Sequence, residues 1–184
     1  MSPDLPELIR RKGDRTISVV LPALDESATV TGVIASIRGL VGGLVDELVV
    51  VDSGSTDDTV VRAVAAGADA VYTREQALPG IPVRRGKGEV LWRSLAVTRG
   101  DIVVFVDSDL QDPDPGYVPA LVAPLLRDRR LHLVKGYCRR PLRDDRCGDQ
   151  RGLVGRSPAV RVDPHHHSST GPSWRPSSGP SERE

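Results

Sequence analysis

The stretch Asp101-Ile102-Val103-Val104-Phe105-Val106-Asp107-Ser108-Asp109-Leu110 decides how this chain is read: a β-forming apolar run ends abruptly in two carboxylates separated by one serine. An apolar run of this length suits a buried strand, and the acids mark where that strand surfaces. Side chains two apart share a face of a strand, so Asp107 and Asp109 point the same way if strand geometry continues, although a turn here re-aims either one. Acid-x-acid also ends strands and caps helices for purely structural reasons, so its neighbours must decide its meaning. Hard cations take oxygen ligands and bridge carboxylates to phosphates, which makes such a strand end a seat for a metal-held diphosphate.

Working outward, short β-rich runs alternate with amphipathic helical stretches, a pattern that predicts an α/β fold with a mostly parallel sheet and crossover helices. The expected strands are 17–21, 47–51, 70–72, 102–106 and 131–137. Between them, 28–40 places Val30, Val33, Ile34 and Ile37 at helical spacing, and 57–66 does the same with Val60, Val61 and Val64 before the helix stop Gly67. A third crossover helix is expected over 88–97, through Leu91, Trp92, Leu95 and Ala96. In an open sheet of this kind ligands collect outside the carboxyl ends of the strands, where the polar motifs after the first, second and fourth strands fall.

Composition narrows the classes. The chain has 184 residues, enough for one ordinary domain, with 39% hydrophobic residues. Lys plus Arg and Asp plus Glu number 25 each, so net charge argues for neither nucleic acid nor an acidic membrane as partner. No apolar stretch approaches the roughly 20 residues that cross a bilayer, and the opening residues do not form a secretion signal, so a cytoplasmic location is expected. Cys138 and Cys147 lack zinc-pair or redox spacing and read as free thiols. Residues 1–15 read as a polar N-terminal segment. From about 143 to 184 the chain is rich in Arg, Pro, Ser and Gly, has no sustained period, and reads as a disordered or aberrant tail in which His165-His166-His167 are solvated.

Three further motifs surround the acid pair. Leu21-Pro22-Ala23-Leu24-Asp25-Glu26-Ser27-Ala28-Thr29 leaves the first strand through an acid-rich turn that opens a helix. Asp25 or Ser27 suits a helix cap, and Glu26 serves equally in a cap or in gripping a nucleobase or ribose. Asp52-Ser53-Gly54-Ser55-Thr56-Asp57-Asp58-Thr59 follows the second strand, with Ser55 and Thr56 as cap residues and Asp52 and Ser53 placed to meet a base or sugar. Arg84-Arg85-Gly86-Lys87-Gly88-Glu89 puts cations on a glycine-bracketed loop at a helix start, where Lys87 reaches a diphosphate. The absence of a Walker-type Gly-Lys-Ser/Thr ending, and of Gly-x-Gly-x-x-Gly after the first strand, removes support from ATPase and dinucleotide-dehydrogenase readings.

In order and spacing these motifs resemble nucleotide-sugar glycosyltransferases of the GT-A (Rossmann-like) fold. More narrowly, Arg74-Glu75-Gln76-Ala77-Leu78-Pro79, the run from Gly86 through Lys87 and Trp92 to Leu95, and Arg139-Arg140-Pro141-Leu142 resemble the glucosyl-3-phosphoglycerate synthase family. The resemblance implies a nucleotide-sugar-binding GT-A domain over 16–142. It also implies Mg2+ or Mn2+ as cofactor, and transfer of glucose from UDP-glucose to 3-phosphoglycerate with retention, in methylglucose polysaccharide synthesis. Carried over by position, Pro22, Ala23, Leu24, Asp25, Glu26 and Ser53 contact the uridine part, Lys87 the diphosphate, Asp107 and Ser108 the donor, and Asp109 the metal. The catalytic residues are left open.

Nothing from Asp144 onward resembles the family's acceptor site and further histidine metal ligand, so a truncated or frameshifted product is expected, with exposed apolar surface compatible with a homo-oligomer. Two other readings stay open: a GT-A transferase with a different sugar donor or a lipid-phosphate acceptor, and a non-catalytic nucleotide-sugar-binding fragment.

Overall fold

Two valine-rich strands, buried on both faces, form the centre of the molecule. A computed structural model describes residues 4–136. Strands β1 (Ile17–Ala23), β2 (Glu47–Asp52), β3 (Ala70–Thr73) and β4 (Ile102–Phe105) form one parallel sheet in the order β3-β2-β1-β4. β1 is buried throughout and β2 nearly so, as the continuous Val/Ile/Leu runs require when helices cover both faces of a parallel sheet.

Helices α1 (Leu5–Lys12), α2 (Val30–Arg38), α3 (Thr59–Ala65), α4 (Arg74–Ala77), α5 (Lys87–Ser94) and α6 (Tyr117–Arg127) complete the described chain. The larger core joins Val19, Leu21 and Val50 of the sheet to Val33, Ile34 and Ile37 of α2, Leu8 of α1, and Val118 and Val122 of α6. The smaller core lies on the opposite face, where Val20, Val49 and Val51 meet Ala77 and Val90. The expected α/β parallel sheet with flanking helices is therefore present, each of its first four strands within two residues of its expected end.

Three expectations are corrected. The segment expected to be merely polar over 1–15 contains α1, docked by Leu8, which is 1% exposed, and by Lys12, whose Nζ donates to the Gly43 carbonyl at 3.0 Å and to Asp46 at 2.8 Å. Its exposed Arg10 and Arg11 both pair with the half-buried Glu7 along the helix surface, which is why the segment reads as solvated. The fifth strand expected over 131–137 is not formed across residues 131–136; Leu133 is 82% exposed, and among the described residues no strand pairs with this segment. Helix α6 appears where no element was expected: Pro119 sits in the tolerated first turn, and Pro124 interrupts the ladder inside the helix, while Val118, Val122 and Leu126 still bury one face. The tail from 143 to 184, Cys138, Cys147, the histidine triplet and Arg139 to Leu142 lie outside the described residues. Among the described residues no helix is long and apolar enough to cross a membrane.

Candidate functional site

The carboxyl ends of β1, β2 and β4 lie side by side because β1 pairs in parallel with both neighbours, so the three motifs open onto one edge of the sheet. A buried serine fastens the acid pair to that edge. Ser108 is 3% exposed, and its Oγ donates to the Pro22 carbonyl at 2.6 Å, which binds the chain just past β4 to the end of β1 and leaves Asp107 and Asp109 exposed on either side. At its other end β4 is anchored by Gly100, whose N–H donates to Ser18 Oγ at 2.8 Å, while that hydroxyl donates to Glu47 of β2.

Lys87, the first residue of α5, reaches across to the acid pair, and its Nζ forms an ion pair with Asp107 Oδ1. The two side chains are 60% and 56% exposed, so water screens their attraction and the pair contributes little to stability. Its interest is positional: a cation from the β3–α5 side and a carboxylate from β4 share one point above the sheet edge. Asp109 is exposed, and no hydrogen bond engages its carboxylate among the described residues.

The loops after β1 and β2 are laced to each other. Asp25 adopts a left-handed conformation with φ of 55°, and its Oδ1 accepts from the Thr56 amide at 2.7 Å and from the Thr56 hydroxyl at 3.2 Å. In return the Asp25 amide donates to Ser55 Oγ at 2.9 Å and the Glu26 amide to Thr59 Oγ1 at 2.8 Å, and the Ser27 amide donates to Asp57 at 3.1 Å. The caps expected of Asp25, Ser27, Ser55 and Thr56 are therefore not made; the N-cap positions of α2 and α3 are Thr29 and Asp58, neither of which makes a side-chain cap bond, and cross-loop partners take the expected groups. The Thr59 hydroxyl, with help from Ser27, holds the Asp57 carboxyl far below the usual carboxylate range.

Several expected contact residues are partly occupied. Asp52 is 3% exposed and spends its carboxylate on the amides of Gly54 and Ser55 at 2.9 and 3.0 Å and on the Ser55 hydroxyl, so it builds the turn and is not free to meet a sugar. Pro22 and Ala23 are buried, with the Pro22 carbonyl taken by Ser108 and the Ala23 carbonyl by the Ser53 amide at 2.8 Å. Leu24 is 53% exposed, Asp25 is exposed, and Glu26 and Ser53 are half-buried. Glu26 Oε2 accepts from Thr29 Oγ1 at 3.1 Å.

Sequence reasoning missed Arg93. It is fully buried on α5 and donates to Glu89 and to the carbonyls of Arg74, Leu78, Ile81 and Pro82. Its spacing from Glu89 was the available signal, since Glu and Arg four apart on a helix face pair. Burial works to raise the Glu89 carboxyl, but the Arg93 and Arg84 hydrogen bonds and the Arg93 and Arg74 charges outweigh it and hold it below its ordinary value.

Among the described residues no three His, Cys, Asp or Glu side chains gather into a cation cage. The donor set still suits a hard divalent ion of the Mg2+ type, which takes one or two carboxylates and completes its shell with substrate phosphates and water; Asp109 is the available carboxylate and Asp107 its neighbour.

Comparison with known proteins bears on the family and the fold. Residues 18–144 match the model of glycosyl transferase family 2. The glucosyl-3-phosphoglycerate synthase of Mycolicibacterium paratuberculosis is 64% identical over 149 residues, 81% of this chain and 45% of that protein. The crystal structure of glucosyl-3-phosphoglycerate synthase from Mycobacterium tuberculosis in complex with UDP superposes with a TM-score of 0.73 at 62% identity, covering 76% of this chain and 50% of that one. The structure of that enzyme with Mn2+, UDP-glucose and phosphoglyceric acid gives a TM-score of 0.69 at 62% identity, covering 71% and 46%. The chain thus spans about half the length of the relatives it matches. It belongs to glycosyl transferase family 2.

Proposed function

We propose that this family 2 chain provides the donor half of a glucosyl-3-phosphoglycerate synthase: it binds UDP-glucose with Mg2+ or Mn2+, for transfer of glucose to 3-phosphoglycerate with retention. The observation that carries the reading is the meeting of Lys87 with Asp107 beside Asp109, at the sheet edge where the loops after β1 and β2 also open. Relatives more than 60% identical bear that synthase name, and one has been solved with UDP-glucose and phosphoglyceric acid.

In this reading Leu24, Asp25, Glu26 and Ser53 line the uridine side, where the laced loops present a pre-formed surface. Pro22 and Ala23 act from beneath it through the backbone. Asp109, with Asp107 adjacent, holds the divalent ion against the diphosphate, and the ion supplies positive charge to the departing UDP. Lys87 donates to the same diphosphate, stabilising the charge that develops as the bond to glucose lengthens, and Ser108 keeps the acid pair in register with the Pro22 turn. Charge positioned in advance lowers the barrier without reorganisation at the moment of reaction, and this scheme requires no protein nucleophile. A place in methylglucose polysaccharide synthesis and a cytoplasmic location follow from the same reading.

Calorimetric titration of the full chain with UDP-glucose, with and without Mn2+, tests it. Binding should strengthen with the metal, and Asp109→Asn should abolish that gain while leaving the melting temperature unchanged. Folded protein that binds UDP-glucose equally with and without Mn2+ refutes the reading. Formation of glucosyl-3-phosphoglycerate by the same preparation tests whether the chain also completes the transfer.

A further inference from the structure

Arg93 follows Lys87 by about two turns of α5 and is 0% exposed. A guanidinium has five N–H donors in a rigid fork, and here all five are used. Nε donates to Glu89; Nη1 to the carbonyls of Arg74 at 2.9 Å and Leu78 at 3.0 Å; Nη2 to those of Ile81 at 2.9 Å and Pro82 at 3.0 Å. Three of those carbonyls lie between α4 and α5, in a segment without regular structure that turns through Gly80 and Gly86 at φ of 81° and 117°. The same segment is closed from the other side, where the Arg84 amide donates to Glu89 Oε1 at 3.2 Å and Arg74 Nη1 to the Arg84 carbonyl at 3.1 Å. Gly86 then caps α5, and Lys87 is its first residue.

We infer that Arg93 is a positioning residue, which fixes the loop from Leu78 to Gly86 so that Lys87 is delivered to the diphosphate of the nucleotide sugar; the inference rests on the donor-site reading above. A buried ion pair is a poor device for stability alone, because desolvation offsets its attraction and apolar replacements of similar volume often serve as well. What the fork supplies is geometry, since one planar group holds four carbonyls and a carboxylate in a fixed arrangement. Lys87 itself is a long, exposed side chain tied to Asp107 alone among the described residues, so fixing its root removes backbone freedom that binding would otherwise have to freeze out.

The test uses the full chain, with calorimetry of UDP and of uridine, each with Mn2+ present, on wild type, Arg93→Lys, Lys87→Ala and the double variant. Lysine keeps the charge but cannot reproduce the fork. The expected result for Arg93→Lys is a loss of UDP affinity of about tenfold with uridine affinity unchanged, and no more than about a twofold further effect when Lys87 is already alanine. Parallel losses for UDP and uridine, or full additivity in the double variant, overturn the positioning role while leaving the donor site standing. If Lys87→Ala leaves UDP affinity intact, the donor-site reading fails first, and the inference fails with it. Should Arg93→Lys not fold, Glu89→Gln loosens the same clamp from its other side; a UDP-selective loss there supports the role, and its absence overturns it.

Discussion

Gly100→Ala should unfold the chain at markedly lower temperature, whereas Gly32→Ala should raise that temperature. A Cβ on Gly100 would lie 2.4 Å from Ser18 Oγ, 2.5 Å from the Ser18 amide nitrogen and 2.8 Å from the Ile102 carbonyl. Ordinary contact is about 3.5–4.0 Å, so the new methyl must gain on the order of 1 Å from two strands at once. Ser18 cannot yield alone: it is 0% exposed, lies in the register that pairs β1 with β4, and its hydroxyl links Gly100 to Glu47. Overpacking of this kind costs about 1–3 kcal/mol, and a lost hydrogen bond about 1 more. The sum of about 2–4 kcal/mol corresponds to a fall of roughly 5–15 °C in a domain of this size. Gly32 is exposed in the first turn of α2 with nothing within 4 Å of an added Cβ, so alanine there gains helix propensity of up to about 1 kcal/mol. Thermal unfolding followed by far-UV circular dichroism, with urea midpoints as a check, measures both. A Gly100→Ala protein that melts with wild type, or the same sign of shift for both variants, refutes the close-packing argument.

Two more outcomes follow from the site. Ser108→Ala removes a buried hydroxyl from the Pro22 carbonyl and should cost about 1–3 kcal/mol in urea unfolding; Ser108→Thr, which keeps a hydroxyl, should recover part of it, and equal losses for both would argue against the bond. The Asp57 and Asp101 carboxyls are held below their ordinary range, foremost by the Thr59 hydroxyl and the Thr16 amide respectively. Each binds fewer protons folded than unfolded, so its stabilising share is complete above the unfolded value of about 4 and is lost as pH falls below it. Melting temperature should therefore hold between about pH 7 and pH 5 and decline below about pH 4, less steeply in Asp101→Asn; an unchanged acid limb in that variant would count against the assignment.

The candidate site is legible in the sequence where chemistry and topology coincide. Lys87 and Asp107 meet because each follows the sheet's carboxyl edge, and that edge can be read from the alternation of strand and helix without knowing a single contact. The polar loops were legible as polar but not as partners. Asp25 and Thr56 are 31 residues apart, and a local rule assigns each to the nearest helix start when the fold joins them to each other. Arg93 was hidden for a different reason: an arginine on a helix ordinarily lies in water, and only the path of the 78–86 loop folds carbonyls over it. Helix α1 was obscured by its charged face and α6 by its prolines, and both depend on burial of a few apolar residues that no short-range pattern announces.

The reciprocal bonding of the segments after β1 and β2 bears on how such a protein can be re-engineered. Asp52 closes part of its own turn, but Asp25 and Thr56 close each other, so each segment is also scaffolding for the other. Exchanging one of them for its counterpart from a distant transferase would import half of a fastening, with Thr56 or Asp25 facing a stranger. Under the proposed donor-site reading, a graft intended to alter nucleobase preference must carry both segments as a single transplanted piece.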